Sequence, residues 1–120
     1  MATRPLTLTK DSTSFNSWVA AWTGLLNTDD GSVLRMPAAN DRSVQVTGTF
    51  GSGGTLLIEG SNDGGVTWGT LNDPQGSALS FTSSKIEAIQ ELTAMIRPRV
   101  SAGDGTTALA VYVLVRGQDY

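Results

Sequence analysis

Along most of this chain apolar and polar residues alternate in short runs, and glycine, proline, asparagine and aspartate punctuate the runs. The clearest run covers residues 108–116, where Leu109, Val111, Val113 and Val115 share one face and Tyr112 takes the other, the pattern of a central strand. Residues 43–50 place Val44, Val46 and Phe50 on one face, with Gly48 marking either a bulge or a close backbone approach. Residues 95–102 set Ile96, Pro98 and Val100 against Arg97 and Arg99. Pro98 has no N–H to donate, so this run reads as an edge strand.

Shorter strands are expected over residues 6–9, 55–60, 67–71 and 79–82, with turns at 51–54, 72–76 and 103–105. Two segments carry both periodicities. In 17–26, Trp18, Ala21, Trp22 and Leu25 fall at helical spacing while Trp18, Ala20 and Trp22 alternate, and a strand is favoured. In 84–94, Ile86, Ile89 and Leu92 suit a short helix capped by Ser83 or Ser84, whereas Ile86 and Ala88 suit a strand, and both stay open. With turns roughly every 8–12 residues, the whole predicts an all-β, antiparallel two-layer sandwich or jelly-roll-like domain over residues 15–120. Residues 1–14, rich in threonine and serine, read as an extended N-terminal arm.

Composition narrows the chemistry. The chain has 120 residues, enough for one core, and 14 glycines favour tight turns. It contains neither cysteine nor histidine, which removes thiolate metal sites, disulfides and histidine-dependent triads. No enzyme, no metal and no cofactor is expected. The net charge is −3 and the eight basic residues form no run, so nucleic acid is not an expected partner. Neither a signal peptide nor an apolar run of ~20 residues is seen, so no membrane association is expected. Asp29, Asp30, Asp41, Asp63, Asp73 and Asp104 all sit beside turn formers, where a carboxylate satisfies local amides more readily than it binds a cation.

One motif stands out. Ser61, Asp63, Gly65, Thr67 and Trp68 occupy every fixed position of S-x-D-x-G-x-T-W and resemble the Asp box, a structural hairpin turn in which Asp accepts turn amides and Gly64 and Gly65 supply positive φ. The same stretch from Ile58 is similar to a strand and turn of discoidin-type carbohydrate-binding modules. Over residues 41–116, the order of the 42–50 strand, the segment 58–65, Ile96-Arg97-Pro98-Arg99 and a closing β run resembles capsid decoration, or cement, proteins of tailed bacteriophages. That resemblance implies a homodimer or homotrimer on the capsid surface of a virion assembled in the host cytoplasm. It would bind the major capsid protein and lock neighbouring capsomers. Leu6, Leu8, Trp18, Trp22, Arg97 and Arg99 are the interface candidates. A carbohydrate-binding sandwich, with Trp18, Trp22, Trp68 and Tyr112 as an aromatic platform, and another tail or neck component are the alternatives.

Overall fold

A computed structural model describes residues 1–11, 16–37 and 39–117. Among these residues the chain forms eleven strands: β1 Thr3–Arg4, β2 Thr7–Lys10, β3 Ser17–Leu26, β4 Asp30–Gly31, β5 Ala39–Thr49, β6 Thr55–Ser61, β7 Gly69–Thr70, β8 Ser80–Phe81, β9 Lys85–Ala88, β10 Met95–Ala102 and β11 Ala108–Gly117. They form two sheets. One is six-stranded, in the order β1-β4-β10-β6-β7 with β8 also on β6, and the other is five-stranded, in the order β2-β3-β11-β5-β9. Every pair is antiparallel except β1 with β4. The domain is therefore an all-β sandwich, and no helix occurs among the described residues.

The core lies between the inward faces. Ala20, Trp22, Val44, Val46, Val111 and Val113 come from the five-stranded sheet, and Leu56, Ile58, Ile96 and Val100 meet them from the six-stranded sheet. β11 is central, between β3 and β5, as its dense β-branched run predicts. The 17–26 segment is a strand throughout. Its helical stripe cannot compete, because β2 and β11 pair with it on both sides and Ala20 and Trp22 then face the core together. Gly48 marks a close approach rather than a bulge. The β5–β11 register runs unbroken through Gly48 and Leu109, φ is 117°, and a Cβ there would strike the Ala108 carbonyl.

One open choice is settled and two expectations need correction. The 84–94 segment is not helical: β9 takes Lys85–Ala88, and of the three spaced apolar residues only Ile89 is buried, Ile86 and Leu92 being 63% and 51% exposed. No single stripe is covered, so nothing stabilises a helix. β10 is not an edge strand but lies between β6 and β4. Its N–H groups on the β4 side belong to Ile96, which donates to Leu34, and Val100, which donates to Asp29. Pro98 between them faces Gly31, where no donor is required. Finally, the described part of the N-terminal arm does not extend away from the domain. β1 and β2 are the outer strands of the two sheets, and Leu6 packs on the core as the chain crosses between them. Residues 12–14 lie outside the described residues.

Trp22 ties the layers together. Its ring is wholly buried, its Nε1–H donates to the Ser32 carbonyl at 2.9 Å, and a Cβ on Gly31 would lie 2.5 Å from its Cδ1 and 2.7 Å from Pro98 Cδ. Trp22→Ala should therefore cost about 3–5 kcal/mol in denaturant unfolding. Gly31→Ala, which overfills the same contact, should cost about 1–3 kcal/mol.

Candidate functional site

The hairpin between β6 and β7 is built by two side chains. Asp63 Oδ1 accepts the N–H groups of Val66 and Thr67 at 3.1 and 3.0 Å and the Ser61 hydroxyl at 2.7 Å, while Ser61 Oγ accepts the Gly65 N–H at 3.0 Å. Gly64 and Gly65 take φ of 80° and 87°. The Thr67 amide and the Ser61 hydroxyl hold the Asp63 carboxyl down to a pKa of about 2. Trp68 does not enter the core. Its Nε1–H donates to the Gly65 carbonyl, and the Arg97 guanidinium lies 4.2 Å from its ring centroid on the outside of the six-stranded sheet.

That outer face is an ionic lattice. Strand alternation turns Arg97 and Arg99 outward beside Glu59, whose two carboxylate oxygens accept Arg97 Nε at 3.1 Å and Arg99 Nε at 2.9 Å. Arg97 Nη1 also reaches Asp30 at 3.4 Å, and Asp30 accepts the Thr3 hydroxyl at 2.7 Å. Glu59 is 5% exposed and ties both arginines into the sheet. The arginines are thus paired within the chain, and Arg99 keeps the more exposed side chain of the two, at 37%.

The turn carboxylates are likewise committed. Asp29 accepts the N–H groups of Ala2 and Leu26, each at 2.9 Å, and Arg4 Nε at 2.7 Å, fastening the first residues to the β3–β4 turn. Burial raises its pKa, but the Leu26 amide, Arg4 and the Ala2 amide together outweigh this and leave the carboxyl below its ordinary value. Asp73 accepts the Gln75 and Ser77 amides. Asp104 accepts the Ser52 and Thr106 amides and joins two loops; the Thr106 hydroxyl and these amides bring its pKa to about 2. Among the described residues no group of three or more carboxylates could hold a metal ion.

The remaining interface candidates scatter. Trp22 is corrected outright: its side chain is core and offers no surface to a partner. Trp18 packs against one end of the core with Lys10 Nζ 5.7 Å from its ring, Leu6 is partly buried, and Leu8 is 41% exposed on the outer strand β2. Nor do the four aromatic rings form one platform. Trp68 lies outside the six-stranded sheet, whereas Tyr112 alternates with buried Val111 and Val113 and so faces outward from the five-stranded one.

Two further residues matter that no local sequence pattern marks. Glu59 carried no signal, because its role depends on the neighbouring β10. Arg42 looked like an ordinary strand residue, yet it is buried and donates to the carbonyls of Met36, Ala39 and Thr93, clamping segments far apart in the chain.

No protein-family profile and no curated protein matches this sequence. Among solved structures, the crystal structure of SPBc2 prophage-derived protein YomS is similar. The TM-score is 0.62 at 10% identity, and the match covers 88% of this chain and 98% of that one. The two share a fold.

The Asp63 carboxyl titrates below its ordinary value of 3.8. Its hairpin bonds should therefore hold at full strength above that value and loosen only as the pH falls through about 2. A carboxyl-carbon NMR titration with a midpoint near 3.8 would contradict the latch geometry. Glu59→Gln removes the charge shared by two partly exposed arginines and should cost about 1–3 kcal/mol in thermal or denaturant unfolding, less than a fully buried pair would.

Proposed function

We propose that this protein is a non-enzymatic structural component of a tailed-phage particle, of the capsid decoration class, which binds the outer shell and strengthens contacts between capsomers. The observation that carries this reading is the near end-to-end fold match to a prophage-derived protein, over 88% of this chain and 98% of YomS. It joins the resemblance of residues 41–116 to decoration proteins. The chemistry of the side chains supports a structural role: Asp29, Asp63, Asp73 and Asp104 are spent on turn amides, and Glu59 on two arginines. A protein of this kind gains avidity from weak contacts repeated over a lattice and needs no reactive group.

Contacts to the major capsid protein fall most naturally to exposed parts of the interface set, Leu8 on β2 and the Arg99 side of the ionic lattice. Because β1 and β2 are built into the sheets, exposed point variants probe shell binding better than removal of the first residues does. Particles of the phage that encodes the chain, purified on a density gradient and analysed by quantitative mass spectrometry, should contain it in fixed proportion to the major capsid protein. Leu8→Glu with Arg99→Gln, which leaves Arg97 on Glu59 and adds no carboxylate beside it, should lower that proportion while costing the free protein only a few degrees of melting temperature. Recovery of the wild-type protein only outside particles would overturn the proposal, and a handful of copies per particle would move it to the tail or neck.

A further inference from the structure

We infer that the outer face of the five-stranded sheet is the surface on which a second copy of this chain packs, sheet against sheet about a twofold axis. The inference deepens the homo-oligomer that the decoration-protein reading implies, and rests on that reading. Across the middle of this face Thr7, Ala21, Tyr112, Gln45 and Ile86 are register partners on five successive strands. The adjoining row is Thr9, Val19, Leu114, Ser43 and Ala88. Neither row contains a charge, although the chain carries 19 charged residues (8 basic and 11 acidic). The charges of the outer strands take the opposite parity: Lys10 is register partner to Trp18, and Lys85 and Glu87 to the inward-facing Val46 and Val44. The face meets charge at one end, where Arg116 Nη2 pairs with Asp41 at 3.3 Å.

The other sheet offers no such face. Stacking the six-stranded sheet on a copy of itself would bury Arg97, Glu59, Arg99 and Asp30, at the desolvation cost of every ion. The five-stranded sheet would bury none in its centre. Depletion of charge around a tyrosine is what marks the core of an interface between proteins, and threonine, serine and alanine beside Tyr112 leave room for a facing sheet at about 10 Å. Five strands ~4.8 Å apart and an uncharged stretch of ~23 Å along β11 give on the order of 500 Å² per copy. Two copies then reach about 1,000 Å², the lower bound of a specific interface. Ile86, 63% exposed at one margin, gains a covering surface in the same arrangement.

Light scattering and sedimentation over micromolar to sub-millimolar protein test the assignment. The wild type should weigh twice its 12.6 kDa chain mass. Gln45→Lys and Thr47→Lys, on exposed or half-exposed outward positions, should halve that mass without altering circular dichroism or melting temperature. Ser80→Lys, on the other sheet, should remain dimeric. A wild type of single-chain mass throughout, a trimer, or lysine variants as dimeric as the wild type would each overturn the inference. So would a monomeric protein whose lysine variants lose only particle association, which would give the face to the shell. Particle association and solution mass are separate readouts, so either proposal can fail alone.

Discussion

The buried indole of Trp22 is the contact on which the architecture turns. It belongs to β3 of one sheet, yet it donates to the Ser32 carbonyl and packs where Gly31 and Pro98 of the other sheet come close. A wholly buried donor cannot turn to water, so breaking this bond would leave the indole N–H unsatisfied. The two-residue strand β4 is held largely by this contact and by its neighbours on β1 and β10. Gly31 cannot carry a side chain there, and Pro98 needs no donor there. Three residues that look unrelated in the sequence therefore serve one junction.

From that junction the N-terminus is drawn into the domain. Asp29, next to β4, collects the amides of Ala2 and Leu26 and the guanidinium of Arg4, so the first residues run along β4 before crossing to β3 as β2. The crossing closes one side of the sandwich. Elsewhere Arg42 does comparable work with carbonyls in place of a carboxylate, joining the loop before β5 to the segment before β10. A sheet with so many short strands leaves many backbone groups unpaired, and these side chains take up that deficit.

The two outward faces have opposite characters. One is a lattice of alternating charges stacked under Trp68, compatible with solvent or with a charged partner surface. The other is uncharged across its two central rows. On the reading proposed above, self-association on the uncharged face would leave the charged face open to a docking partner.

The alternation of Leu109, Val111, Val113 and Val115, of Val44 and Val46, and of Ile96 and Val100 was enough to establish an all-β sandwich. These are two-residue periods carried by neighbouring positions. The Asp63 hairpin was readable for the same reason, since all its bonds close within a few residues. Both arginines could be placed on one outward face of β10, but not paired with Glu59, which lies 38 and 40 positions away. Trp22 looked like a candidate for an interface, and β10 like an edge. Only tertiary structure decided that the indole is core and that β4 covers Pro98. Local periodicity sets which way a side chain points; which strand lies opposite depends on contacts between distant residues, and these leave no local mark on the chain.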